Sequence, residues 1–240
     1  MSDFTDDKFL GGRLIIRQPA SGFRAGLDAV MLAAAVPARA GDTLLELGAG
    51  VGTASLCTAL REPDCSILGL EIDVALAAFA QHNAQVNNAG RVQFLQGDVF
   101  DPPAHARKDF DHVFCNPPFH GPDGALPPDA GRARALHDGG ALGDWLATGL
   151  KRTVSGGTFT AIIRADRLGE ALRALPDTGI AVFPLWPKEG EAAKRVIVQV
   201  RKGSREALRL LPGLVLHAEG GKNTPQCEAI LREGAALDLD

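Results

Sequence analysis

The chain has 240 residues, 45% of them hydrophobic and 22% charged, with a net charge of −4. That is enough to bury a sizeable core in one large α/β domain, or one domain with small appendages, and it excludes the strongly basic composition of a wholesale polyanion binder. No run of about 18 apolar residues is present, so a transmembrane helix is not expected.

The acidic start "MSDFTDDKFL" lacks the basic-then-apolar order of a secretion signal. Four cysteines (Cys57, Cys65, Cys115 and Cys227) show no C-x-x-C spacing, which predicts reduced thiols in a cytoplasmic protein and no disulfide framework or metal site. Charge is uneven along the chain. Residues 151–240 carry 14 basic and 11 acidic side chains, the first 150 carry 11 and 18. A basic partner-facing surface would therefore draw on the C-terminal half.

In chain order, "GGRLIIRQPASGF" at 11–23 reads as an extended segment entering a glycine-containing turn. "LDAVMLAAAVP" at 27–37 is apolar and alanine-rich, hence helical, with Asp28 as a cap or first-turn acid and Pro37 as the stop. An alternation follows. Strands are predicted at 43–47, 66–72, 91–97, 110–115, 157–164, 179–186 and 194–203. Helices are predicted at 53–62, 73–88, 141–154 and 166–176. This alternation implies βαβ units and a doubly wound, mainly parallel sheet of seven strands. "HGPDGALPPDAGRAR" at 120–134 is the one long irregular stretch, and loops of that length are often functional. The tail "LVLHAEGGKNTPQCEAIL" at 214–231 predicts a short strand, a turn and a helix.

Three of the predicted strands end in residues that suit a nucleoside. "ELGAGVG" at 46–52 joins the first strand to the following helix. Its glycines at 48, 50 and 52 permit positive φ and close approach of backbone to a ligand, at the carboxyl end of a strand where open α/β sheets bind. A dinucleotide fingerprint would need glycine at 53, where Thr53 stands, so a dehydrogenase is disfavoured. The loop fits a zwitterionic amino-acid moiety better, its amides facing a carboxylate and Glu46 facing an ammonium. Glu71 ends the second strand, where a carboxylate accepts both ribose hydroxyls. Asp98 follows the third, placed to accept from an adenine amino group.

The fourth strand ends in "CNPPF" at 115–119. Prolines stop a sheet ladder and hold the chain extended. An amine or amide nitrogen conjugated to a π-system is a poor nucleophile because its lone pair is delocalised. Two acceptors on its N–H groups free that lone pair. The Asn116 side-chain oxygen and the Pro117 carbonyl are the candidates, and Phe119 offers a flat face for stacking. Positioning and electrostatics then supply most of the rate, with no dedicated base. Cys115 reads as a buried strand residue and not a nucleophile.

This combination resembles the class I S-adenosylmethionine-dependent methyltransferases. They carry an acid-x-G-x-G-x-G loop, a ribose acid after the second strand and an adenine acid after the third. The resemblance implies a Rossmann-like seven-stranded sheet with its last strand antiparallel. It also implies S-adenosylmethionine bound by Glu46, Gly48, Ala49, Gly50, Glu71, Ile72, Asp98, Val99 and Asn116. The family more often has aspartate at the position of Glu46. "NPPF" resembles the (N/D/S)PP(Y/F) signature of enzymes that methylate planar nitrogen. Tyrosine is commoner at its last position, and this chain contains none.

The flanks are similar to the bacterial tRNA1(Val) (adenine-N6)-methyltransferase family. Gln18, Gly22, Phe23, Arg24, Asp28 and Ala29 match its lead-in, and Ala193, Arg195 and Val196 match a late strand. The resemblance spans roughly residues 11–231 and implies N6-methylation of an adenine in tRNA. The lead-in would be a cofactor lid, with Phe23 and Asp28 near the methionine end. Pro118, Arg132, Arg134, His137, Lys194 and Arg195 would meet the RNA, and Lys188 and Lys222 are further basic candidates. Three segments follow: an extension and lid helix at 1–40, a core at 41–204, and a strand-and-helix appendage at 205–240. Neither a membrane nor an obligate protein partner is expected.

Two enzyme alternatives use the same motif: methylation of another RNA base amine, such as one in rRNA, and methylation of a protein glutamine amide. The second usually comes with an N-terminal helical domain, for which the 42 residues before the first predicted strand leave little room. A non-catalytic S-adenosylmethionine-binding module is the alternative from another class.

Overall fold

The structure is a computed structural model and describes residues 4–22, 24–118 and 142–239. The first two strands, β1 (Phe4–Phe9) and β2 (Leu14–Pro19), form an antiparallel hairpin of their own. Only its second half was expected as extended chain. β1 was missed because "FTDDKF" has weak strand propensity on its own. Cross-strand pairs make up for that. Asp6 lies opposite Arg17 and takes its guanidinium at 2.8 and 3.0 Å, while Arg17 stacks 4.1 Å from the Phe4 ring centroid.

Helix α1 (Leu27–Ala35) leads into β3 (Thr43–Leu47), α2 (Thr53–Arg61), β4 (Ser66–Glu71), α3 (Val74–Val86), β5 (Val92–Gln96) and β6 (Phe110–Cys115). Beyond residue 141 come α4 (Leu142–Lys151), β7 (Thr153–Arg164), α5 (Leu168–Ala174), β8 (Ile180–Trp186) and β9 (Arg195–Arg201). The short strands β10 (Arg209–Leu210) and β11 (Leu214–Val215) and the short helix α6 (Pro225–Glu228) close the chain.

The large sheet runs β10-β8-β9-β7-β6-β3-β4-β5, with β11 also on β8. β9 is antiparallel to both its neighbours, and the other pairings are parallel. The seven expected strands are all here, the last of them antiparallel, and two short tail strands extend the edge.

Strand side chains alternate between two buried layers. Leu44, Phe114 and Ile162 pack with α1, α2 and α3; Leu45, Val113, Ala161 and Ile163 pack with α4 and α5. Burial on both faces is why the central strands read as nearly continuous apolar runs. α1 has no glycine at its C-terminus. Its last carbonyls are satisfied from elsewhere: Arg61 reaches Ala33 and Val36 (2.7 and 2.6 Å), Leu237 N reaches Ala34 (2.8 Å) and Gln199 reaches Ala35 (2.9 Å).

Two local expectations need correction. The helix predicted over 141–154 stops at Lys151, and β7 starts at Thr153 instead of 157. Gly156 and Gly157 form a bulge: the pairing with β6 slips between Phe110↔Thr153 and His112↔Thr158. A Cβ on Gly157 would sit 2.3 Å from the Asp111 carbonyl oxygen, so only glycine lets the strands approach there. The tail also contributes two strands to the sheet where one was expected, and Pro184 explains the split. Val182 and Trp186 turn their carbonyls to the outer edge, accepting from Leu211 N (2.9 Å) and Leu216 N (2.8 Å). Residue 184 faces the same way and has no N–H to offer, so the tail pairs on either side of it and bulges between.

Candidate active site

Strands β3 to β7 run parallel, so their carboxyl ends share one edge of the sheet. At the end of β3 the chain turns through Gly48, Gly50 and Gly52, at φ of 68°, 56° and 83°, before entering α2. A Cβ on Gly48 would lie 2.9 Å from the Trp145 ring of α4, and one on Gly52 would lie 2.5 Å from the Phe94 ring of β5. Both positive φ and lack of space therefore select glycine. Ala49 N bonds to Leu70 O at 2.8 Å, tying the loop to β4.

Two carboxylates flank this loop. Glu46 is buried, and its Oε2 accepts from the backbone N and the hydroxyl of Ser55 on α2. The expectation of an open ammonium acceptor is thus modified, since one oxygen already serves the first turns of α2. Burial pushes the Glu46 pKa up to about 8, against the opposing pull of the Ser55 bonds. Glu71 at the end of β4 accepts from Gly50 N at 2.7 Å and Asp73 N at 2.9 Å. Its pKa is also raised by burial, and those backbone bonds oppose the shift. Among the described residues neither carboxylate forms an ion pair. Two desolvated acids without a cation make this loop a poor host for a pyrophosphate and a good one for a positively charged ligand.

On the neighbouring loops, Asp98 is exposed and its Oδ1 accepts from Phe100 N at 2.8 Å. Val99 is buried beneath it. Ile72 and Phe100 are large apolar residues left 45% and 40% exposed at this edge. Phe100 also meets Trp145 edge-on, with ring centroids 5.8 Å apart.

Cys115 at the end of β6 pairs with Leu47, which brings Asn116 beside Gly48. Asn116 Oδ1 is buried and has no hydrogen-bond partner among the described residues. Such an orphaned acceptor costs about 1–3 kcal/mol. Thr53 Oγ1, at the start of α2, is in the same condition. Pro117 is buried and Pro118 partly so. Cys115 is buried, and burial, with the Glu46 charge second, pushes its thiol pKa far up, which disfavours the thiolate.

Asp28 and Arg195, expected in separate roles, are brought together. Arg195 Nε meets Asp28 Oδ2 at 2.9 Å, clamping the first turn of α1 to the start of β9. Lys194 is exposed next to it. The matching lead-in residues Gln18 and Arg24 have structural work: Gln18 accepts from Ala25 N at 2.8 Å, and both side chains donate to Asp7 of the hairpin. Phe23, Phe119, Arg132, Arg134 and His137 lie outside the described residues.

Residues 24–132 match the family described as methyltransferase small domain. A tRNA1(Val) (adenine(37)-N6)-methyltransferase of Shewanella amazonensis is 30% identical over 190 residues, covering 76% of this chain and 79% of that protein. The chain belongs to that methyltransferase family. A protein of the same description from Shewanella loihica is 31% identical over 164 residues, 65% of this chain and 66% of its own. Among solved structures, a predicted O-methyltransferase from Agrobacterium tumefaciens has a TM-score of 0.73 at 26% identity, covering 88% of this chain and 98% of that one. TrmN from Thermus thermophilus shares the fold at a TM-score of 0.51 and 22% identity, over 73% of this chain and 48% of that one.

For a member of this methyltransferase family, the sequence pointed to the loop, the two acids after it and Asn116. It missed Ser55, Asn83, Phe100 and Trp145. Ser55 and Phe100 stand close in sequence to motif residues and were findable. Asn83 and Trp145 reach the loop only through tertiary packing of α3 and α4.

Proposed function

We propose that this methyltransferase uses S-adenosylmethionine to methylate the N6 amine of an adenine in tRNA, of the tRNA1(Val) adenine-37 type. The observation that carries the reading is the buried Oδ1 of Asn116, without a hydrogen-bond partner among the described residues, beside a loop flanked by two buried carboxylates. Glu46, Glu71 and the glycine-loop amides would hold the cofactor's charged and ribose groups, with Asp98, Ile72, Val99 and Phe100 around its adenine. Bound there, the cofactor supplies an electrophilic methyl group on a sulfonium.

The chain's own part is positioning. Asn116 Oδ1 and the Pro117 carbonyl accept from the target N–H groups, which localises the lone pair on nitrogen. The prolines hold that carbonyl by restricting φ. Phe119 is assigned the stacking face for an everted base. Lys194, with Arg132, Arg134 and His137, is assigned to phosphates, while Arg195 acts at one remove through Asp28. A tRNA substrate would place the protein in the cytoplasm, and no described helix is long and apolar enough to cross a membrane.

Methyl transfer from labelled cofactor to unmodified tRNA, followed by nucleoside mass spectrometry, tests this. N6-methyladenosine is expected. Asn116→Ala should lower kcat by about 10²–10³-fold without lowering thermal stability, because it removes an unsatisfied buried acceptor. Label on ribose oxygen would favour the chemistry named for the Agrobacterium neighbour, and label on a protein glutamine would move the substrate class.

A further inference from the structure

The N-terminal hairpin and the glycine loop meet at one side chain, and we propose that Asn83 is a positioning residue that sets the loop for the cofactor. The inference rests on the reading of that loop as the cofactor cradle. Asn83 lies on α3 and is 0% exposed. Its Oδ1 accepts from Arg17 N at 2.8 Å, and its Nδ2 donates to Arg17 O and to Val51 O, both at 2.9 Å. Both amide donors and the oxygen are thus in use.

One turn further along the helix, Asn87 repeats part of the pattern. Its Oδ1 accepts from Ile15 N at 3.0 Å and its Nδ2 donates to Ile15 O at 2.8 Å. The spacing explains the match. Successive turns of a helix advance about 5.4 Å, and alternate residues of a strand about 6.8 Å. Asparagines at i and i+4 can therefore serve strand residues two apart. α3 stands in for a third strand along the free edge of β2.

Only Asn83 also reaches the loop. Val51 lies between Gly50 and Gly52, both at positive φ, where backbone freedom is greatest. Gly50 N is already held from β4 by Glu71. The Asn83 bond holds the Val51–Gly52 peptide, two peptides further on, from α3, so the loop is pinned on two sides. Asn87 has the same chemistry toward the hairpin and no bond to the loop, which makes it the control.

The test compares wild type, Asn83→Ala, Asn83→Ser and Asn87→Ala by calorimetric titration with S-adenosylhomocysteine, steady-state methyl transfer and thermal unfolding. Both alanine variants should unfold at a lower temperature. The Asn83 variants should also raise the cofactor Kd and KM about tenfold, the worth of one buried hydrogen bond, with kcat nearly unchanged. Asn87→Ala should keep the wild-type Kd. Wild-type affinity in the Asn83 variants, or an equal loss in Asn87→Ala, would overturn the inference. Should Asn83→Ala fail to fold, Asn83→Ser carries the same comparison. Failure of the wild type itself to bind the ligand would overturn the cofactor reading and the inference with it, and that outcome is distinct from the others.

Discussion

Glu46 shows how burial can dominate the behaviour of one residue, outweighing the Ser55 bonds that oppose it. Its carboxyl stays protonated in the fold up to about pH 8, against an ordinary value of 4.5. Between those values the native state holds a proton that the unfolded chain has lost. The stability this group contributes is therefore complete below about pH 4.5 and declines as pH rises through about 8. A cationic ligand reverses the preference, because it favours the ionised acid. Cofactor affinity should rise across the same window with release of one proton, and Glu46→Gln should flatten both dependences. Calorimetry in buffers of differing ionisation enthalpy reads the proton directly, and an unchanged pH profile in Glu46→Gln would contradict the assignment. Glu46 and its loop were legible in the sequence. The orientation of Glu46 toward Ser55 was not, because it depends on which face of β3 the side chain takes.

At the scale of elements, the strand–loop–helix unit was readable because its glycines answer local backbone demands. What excludes other residues is less local. Gly52 combines φ of 83° with a neighbour from β5 only 2.5 Å from any added Cβ. Gly52→Ala should cost about 1–3 kcal/mol from strain and overpacking, measured by denaturant unfolding, and should weaken cofactor binding with it. A variant as stable as wild type would show that the Phe94 ring moves aside. The β1–β2 hairpin and the early start of β7 escaped prediction for a related reason. Their residues are strand-like only when paired: Asp6 with Arg17, and Thr153 with Phe110.

For the whole molecule, the C-terminal segment belongs to the core. Leu214, Leu216, Cys227, Ile230, Leu237 and Leu239 are buried in the α1–α3 layer, and Leu237 N caps Ala34 of α1. A chain ending at residue 204 would expose the β8 edge and that apolar layer, which invites edge pairing. It should aggregate or lose most of its soluble yield, and a monomeric, cofactor-binding fragment would refute this. The sequence by itself determined the alternation of strands and helices, the glycine loop, the acids at 71 and 98 and the Asn-Pro-Pro segment that ends β6. Each of these is a local pattern with a backbone or hydrogen-bonding cause of its own. Only the tertiary structure decided which distant groups meet: Asp28 with Arg195, Trp145 over Gly48, Asn83 between hairpin and loop. Those contacts depend on how layers pack, and residues 66 or 167 positions apart leave no shared periodicity by which to find each other.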